Sequence, residues 1–262
     1  PIGPCEPINS IESFSEFENK KLFPAILKQS KFGYDGKGQH QVNSISEVKA
    51  ILNGSNENEF ILEKKLNLDK EISVVLSRSS DGVSEIFPVI ENQHEAGILD
   101  LSIIPARVSE NFKKKAVSYA LKIAKNLNYV GTIAVEFFIS DDKLYVNEIA
   151  PRPHNSGHFS LDACNVSQFD LQVLSLVDKS LIEINLEKNA VMLNLLGDLW
   201  FKNGEPKTPN FEEIEGPGIN IHLYGKNQPR SGRKMGHITV VGEKLENLIN
   251  KVEEIRLKLL EM

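Results

Sequence analysis

The chain predicts an α+β fold, and two observations carry that prediction. Short runs of β-branched and apolar residues, bounded by polar or glycine-containing turns, recur in a manner suited to antiparallel pairing. Apolar stripes at helical spacing fall in separate stretches, which segregates the helices from the strands. With 262 residues the chain can form one large domain or two smaller ones, and 40 % apolar with 25 % charged residues is a globular composition. A formal net charge of −6 argues against nucleic acid as a partner, because phosphate-backbone binders carry a basic excess. No apolar run approaches the ~20 residues of a membrane span. The two cysteines, Cys5 and Cys164, lie far apart and give no disulfide framework. These features lead to the expectation of a cytoplasmic protein with no membrane or nucleic-acid partner. The first residues, Pro-Ile-Gly-Pro-Cys-Glu-Pro, resemble a connection arriving from a preceding segment, so a missing N-terminal part is expected.

Taken in order, residues 10–21 are polar with Phe14 and Phe17, which predicts a short surface helix. Residues 23–28 predict a buried strand ending in Lys28, followed at once by a glycine-rich turn; 60–63 and 72–76 predict two more strands. From 111 to 127 the apolar residues Phe112, Ala116, Tyr119, Ala120, Ile123 and Leu127 recur at helical spacing, and Gly131 follows. Strands at 133–139 and 143–149 are joined by Ser-Asp-Asp, a hairpin signal. A three-residue loop would make Glu136 and Glu148 diagonal neighbours on one face within ~8 Å, where they repel unless a cation lies between them. A two-residue loop would set Asn147 opposite Glu136. Further on, 159–177 predicts a helix, and 191–196, 218–224 and 237–241 predict strands. The closing helix presents Leu245, Leu248, Ile249, Val252, Ile255 and Leu259 along one face.

Chemistry concentrates in Asn-Glu-Ile-Ala-Pro-Arg-Pro-His-Asn-Ser-Gly-His at 147–158. A carboxylate, amides, a guanidinium, imidazoles and a hydroxyl follow directly on a strand, and the two prolines stiffen the run, which suits a charged ligand better than a linker. Phe-Gly-Tyr-Asp-Gly-Lys-Gly-Gln at 32–39 sets three glycines around a lysine and an aspartate. Such a loop closes over phosphate through its backbone amides and its lysine, or serves as an ordinary hairpin turn; it lacks the Ser or Thr of a Walker A loop. Glu136, Asn147 and Glu148 are hard oxygen donors that suit Mg²⁺ shared with substrate phosphates. The spacing of His154 and His158 raises zinc as the competitor, but the prolines and Gly157 argue against the helix that would align them. The basic loop at 225–234 offers Lys226 and Arg233 to a phosphate monoester, or is a solvated turn.

Jointly these motifs resemble the ATP-grasp family, and within it the enzymes that carboxylate 5-aminoimidazole ribonucleotide. The resemblance rests on 32–39, 147–158, Ser167-Gln168-Phe169, Asn-Leu-Leu-Gly at 194–197 and Arg-Lys-Met-Gly-His at 233–237, in family order along nearly the whole chain. It implies a linker and helix at 1–22, an ATP-grasp small lobe at 23–80 and a large C-terminal lobe at 81–262, without the N-terminal Rossmann-like domain that family members carry. The implied reaction phosphorylates bicarbonate with ATP to carboxyphosphate and transfers the carboxyl group to the amine of 5-aminoimidazole ribonucleotide, within purine biosynthesis. Implied roles follow by position. Lys28, Lys37, Gln39, Glu63, Lys64, Leu66, Glu71 and Asn147 bind ATP; Glu136 and Glu148 hold Mg²⁺. Tyr34, Asp35, Lys37, Arg152 and His154 act on the reacting groups. Tyr34, Arg152, His154, Asn155, Ser156, Lys226 and Arg233 hold the ribonucleotide and bicarbonate. A homodimer is implied as the assembly. The alternatives are another ATP-grasp carboxylase or formyl-handling enzyme, such as biotin carboxylase or the formate-dependent glycinamide ribonucleotide transformylase, and a nucleotide-binding fragment without turnover.

Overall fold

The computed structural model describes residues 1–8, 22–30, 38–54 and 59–262. The helix expected at 10–21 lies outside the described residues, as do Tyr34, Asp35 and Lys37 of the glycine-rich loop. The chain divides into two compact units, the first holding 1–69, 96–98 and 138–147 and the second the remainder.

In the first unit the strands are β1 (Cys5–Ile8), β2 (Ala25–Gln29), β3 (Gln39–Val42) and β4 (Phe60–Lys64), with helix α1 (Ile45–Gly54). They form a four-stranded sheet in the order β1-β4-β2-β3, and every pair along it is antiparallel. One face is apolar because alternate residues point the same way: Ala25 and Leu27, Phe60 and Leu62, Val42 and Ile8 pack with Val48 of α1 into one core.

The second unit carries most of a nine-stranded sheet. Its strands are β5 (Lys70–Arg78), β6 (Ser84–Ile86), β7 (Ile90–Glu95), β8 (Ile98–Ile104), β9 (Gly131–Ser140), β10 (Lys143–Ala150), β11 (Asn189–Leu196), β14 (Ile219–Leu223) and β15 (Lys234–Gly242). The order is β10-β9-β5-β7-β8-β11-β15-β14, with β6 on β5; the short strands β12 (Phe201–Lys202) and β13 (Glu205–Pro206) pair with each other. Helices α2 (Glu110–Asn126), α3 (Ser160–Ala163), α4 (Gln168–Leu176) and α5 (Leu245–Glu261) cover it. Burial on both faces explains the apolar run of β11, which only Asn194 interrupts after Asn189. Ala190 and Met192 enter one core with Phe159 and Leu171, whereas Val191, Leu193 and Leu195 enter another with Leu248, Val252, Ile255 and Leu259 of α5.

Several expectations need correction. The Ser-Asp-Asp connection is a two-residue turn: β9 runs through Ser140, and Asp141 and Asp142 both take positive φ. The three-residue alternative is therefore not adopted, and the hairpin uses the tight turn whose twist matches that of its strands. The helix expected at 159–177 is broken. Cys164 is extended, and a new helix starts from Ser167, whose hydroxyl and backbone N–H pair reciprocally with Asp170 in a capping box. On α2 the buried line is Ala116, Ala120 and Ala124, small residues at i, i+4 spacing, while Leu127 is exposed beyond the last turn. Strands β7 and β8, joined through Ala96 and Gly97 at positive φ, are not among the elements that the sequence pattern predicts.

The capping box yields a direct expectation. Ser167→Ala removes a hydroxyl that accepts from the Asp170 N–H and should cost about 1 kcal/mol of unfolding free energy. An unchanged urea midpoint would contradict that role.

Candidate active site

Within the first unit, β2 and β4 bring a cation and a carboxylate together. Lys28 pairs across from Ile61, and Glu63 across from Ile26, so Lys28 and Glu63 are diagonal neighbours on one face. Lys28 Nζ lies 2.6 Å from Glu63 Oε2 and donates to Asn147 Oδ1 at 3.3 Å. Gln39 sits opposite Lys28 on β3 and is exposed, as is Lys64; Leu66, just past β4, is half-buried.

The second unit assembles a denser cluster. Glu71, the second residue of β5, stands opposite Asn92, so His94, two residues along β7, shares its face; His94 Nδ1 lies 2.9 Å from Glu71 Oε2. Burial alone would push the His94 imidazole down, but its contact with Glu71 and the charge of Glu136 raise it above 6.5. Glu136, on β9, is held above the usual carboxylate range by burial and by the charges of Glu148 and Glu71, against which His94 and Lys234 act. His154 Nε2 is 3.4 Å from Glu136 Oε1.

His154 is held with unusual completeness. Its backbone N–H donates to Gln168 Oε1 at 2.8 Å, and its carbonyl accepts from Gln168 Nε2 at 2.7 Å, so one buried amide fixes both sides of the residue. Gly157 permits this approach, since a Cβ there would stand 2.5 Å from Gln168 Oε1. A buried hydrogen-bond chain then sets the ring. Ser102 Oγ donates to Asn92 Oδ1 at 3.0 Å, Asn92 Nδ2 to Ser73 Oγ at 2.9 Å, and Ser73 Oγ to Ser156 Oγ at 2.9 Å. The Ser73 hydroxyl proton is thereby committed, and the Ser156 hydroxyl, 2.9 Å from His154 Nδ1, has its proton left for that nitrogen. The Ser156 backbone N–H, which can only donate, points at the same atom at 3.3 Å. Nδ1 is therefore an acceptor, and a neutral ring carries its proton on Nε2, toward Glu136. The ring is neutral because burial, with Arg152 and Lys234 nearby, lowers its pKa to about 3.

Asn155 is buried, and neither its Nδ2 nor its Oδ1 has a partner among the described residues, an arrangement that costs ~1–3 kcal/mol per group unless something else satisfies it. Arg152 is exposed and donates to the Pro153 carbonyl at 3.0 Å. Lys226 donates to the Lys234 carbonyl and Arg233 to the Gln228 carbonyl, each at 2.6 Å, so both cations are engaged on the β14–β15 connection. That connection rests on Gly197, where a Cβ would lie 2.2 Å from the Arg230 carbonyl oxygen.

Two contributors are not singled out by the sequence pattern, His94 and Lys234. Residues 90–95 are polar after Ile90, so no apolar–polar alternation marks His94. Lys234 lies inside the 233–237 motif, and its charge acts on His94, Glu136, His154 and His158. The donor set of Glu136 and Glu148, two carboxylates of which one is destabilised by burial and by its neighbours, fits a hard divalent cation.

Comparison with known proteins bears on this geometry. Residues 1–169 match the ATP-grasp domain. The chain belongs to the ATP-grasp family. Residues 190–251 of this ATP-grasp chain match the phosphoribosylaminoimidazole carboxylase C-terminal domain. N5-carboxyaminoimidazole ribonucleotide synthase of Staphylococcus aureus (strain COL) is 42% identical over 235 residues, which cover 88% of this chain and 59% of the relative. A crystal structure of an N5-carboxyaminoimidazole ribonucleotide synthetase in complex with ADP superposes with a TM-score of 0.86 at 37% identity, covering 100% of this chain and 68% of that one. The Aspergillus clavatus enzyme in complex with ADP and 5-aminoimidazole ribonucleotide gives a TM-score of 0.85 at 26% identity, covering 99% and 69%. The chain thus spans about three fifths of the length of the Staphylococcus aureus relative. Among the described residues no helix is long and apolar enough to cross a membrane.

Acid stability should report the buried imidazoles. His154, His158 and His237 are lowered to about 3, 4 and 3 from 6.5, in each case chiefly by burial. The unfolded chain takes up protons below pH 6.5 that the folded chain refuses, so stability is full above 6.5 and falls by about 1.4 kcal/mol per pH unit for each histidine, down to about 4 for His158 and about 3 for His154 and His237. Urea unfolding between about pH 7.5 and 5.5 should show this loss; a flat profile would contradict neutral burial.

Proposed function

We propose that this chain carries the ATP- and bicarbonate-dependent carboxylation of 5-aminoimidazole ribonucleotide to N5-carboxyaminoimidazole ribonucleotide, releasing ADP and phosphate. The observation that carries the proposal is the His154 arrangement: a neutral imidazole, fixed as an Nε2–H donor, beside an elevated carboxylate and a set of cations. Family membership and the ligands named for the relatives support it.

In this reading Lys28, and Lys37 of the glycine-rich loop, neutralise the ATP phosphates, and Gln39 is a further ATP-binding residue. Glu63, Lys64 and Leu66 take the adenine, Glu71 the ribose, and Asn147 orients Lys28. Glu136 and Glu148 hold Mg²⁺, which when bound offsets the charge accumulating on the transferred phosphoryl group. Bicarbonate oxygen attacks the γ-phosphorus of ATP, giving carboxyphosphate and ADP; the exocyclic amine of the ribonucleotide then attacks the carboxyl carbon as phosphate leaves. Arg152 supplies charge to the bicarbonate and carboxyphosphate oxygens. His154 donates from Nε2 and, with a pKa of about 3, does not serve as the base. Asn155 has both halves of its amide available for a polar ligand, and Ser156 fixes the His154 ring. Tyr34 and Asp35 act on the bicarbonate and the ribonucleotide, Lys226 and Arg233 bind the ribonucleotide phosphate, and a homodimer is the proposed assembly. Catalysis by such a set is electrostatic and positional.

The test is phosphate release with Mg-ATP and bicarbonate, with and without 5-aminoimidazole ribonucleotide. Stimulation by the ribonucleotide is expected; ATP binding without stimulation would contradict the proposal for this chain and favour a nucleotide-binding fragment. Glu148→Gln should lower stimulated release at least ~100-fold, equivalent to ~2.7 kcal/mol of transition-state stabilisation; near-normal activity would remove the metal assignment. His154→Ala should depress carboxylation more than ATP affinity, whereas equal loss of both would assign the residue a structural role.

A further inference from the structure

On the β14–β15 edge of the second unit, His222 and His237 stand directly opposite each other, with ring centroids 4.6 Å apart. Directly paired cross-strand residues are the closest side-chain neighbours a sheet offers. Gly236 lets the strands approach here, since a Cβ at that position would lie 2.4 Å from the His222 carbonyl oxygen. Asp162 of α3 completes the group, with Oδ2 at 3.0 Å and Oδ1 at 3.1 Å from His222 Nε2. One ligand atom from each of Asp162, His222 and His237 lies within 4.8 Å of the others.

His237 decides what the group can do. Its Nδ1 is 2.9 Å from Tyr224 Oη, while Nε2 is buried without a partner among the described residues, on a residue only 1% exposed. A ring that donates from Nδ1 to the tyrosine presents a bare lone pair at Nε2, the tautomer that an outer partner fixes in metal-binding histidines. We propose that Asp162, His222 and His237 form a site for a borderline divalent transition metal, Zn²⁺ foremost, with a fourth position open to solvent on the His222 side. Two imidazoles and one carboxylate are a zinc donor set, and the sulfur-free, nitrogen-rich composition disfavours Mg²⁺. Tetrahedral ligands at ~2.0–2.1 Å stand ~3.4 Å apart, so His222 and Asp162 are nearly in place, whereas His237, whose ring lies 14° from parallel to that of His222, turns and closes by up to ~1.4 Å to join them. The bound ion would tie α3 to the sheet edge that bears the basic connection. Glu136 and Glu148 take no part, and the site is independent of the proposed carboxylation.

Co²⁺ titration of the chelator-treated full chain tests this, read by visible ligand-field bands, with Zn²⁺ competition. One Co²⁺ per chain, displaced by Zn²⁺ but not by excess Mg²⁺, is expected. His222→Ala, at a half-exposed side chain, and the near-isosteric Asp162→Asn should each weaken binding at least about 100-fold, while Glu148→Gln leaves it unchanged. Absence of saturable binding would overturn the proposal. So would unchanged binding in both His222→Ala and Asp162→Asn, or loss of the bands in Glu148→Gln.

Discussion

The need to hold one imidazole neutral and immobile beside a buried carboxylate organises the second unit. His154 has no regular strand or helix to hold it; it lies on a proline-stiffened turn. Its position comes instead from elements far away in sequence. Gln168, at the start of α4, grips both its backbone groups, and strands β8, β7 and β5 each contribute one member of the hydrogen-bond chain that ends on its ring. A buried chain of this kind is useful only when every member is satisfied, because a single unpaired group would cost more than the chain contributes. The break between α3 and α4 follows from the same requirement, since the Ser167 cap starts α4 where Gln168 can turn back toward His154.

Charge is the second constraint. Burial and the charges of Glu148 and Glu71 raise Glu136, and His94 and Lys234 act against that rise. Carboxylates brought together around the half-buried Glu136 are costly unless cations compensate, so the cluster is poised for a ligand that brings positive charge, and Mg²⁺ with a nucleotide is such a ligand. The amide of Asn155, without a partner among the described residues, belongs to the same pattern.

What is legible in the sequence is what is local. The run at 147–158 is contiguous, so its chemistry is visible in the order of its residues alone; α5 and β11 announce themselves through period and apolar content. The strands at 90–104 do not, because their hairpin turns on Ala96 and Gly97 rather than on Asn-Gly or Asp-Gly, and polar Asn92 and Ser102 face inward to serve the hydrogen-bond chain. His94 and Lys234 escape for a related reason: their roles depend on partners brought from other strands, and neither carries a local signature. The broken helix at 164–167 is hidden by apolar spacing that continues across the break, while the capping box that starts α4 is present in Ser167 and Asp170. The glycine-rich loop, prominent in sequence, falls mostly outside the described residues.

The most direct measurement is long-range nitrogen–proton correlation NMR on the histidine-labelled chain, following His154 by comparison with His154→Gln. A ring held as described gives an unprotonated Nδ1 and a protonated Nε2, with no titration between about pH 5 and 8. A proton on Nδ1, or a titration near the ordinary histidine value, would contradict the account at its centre.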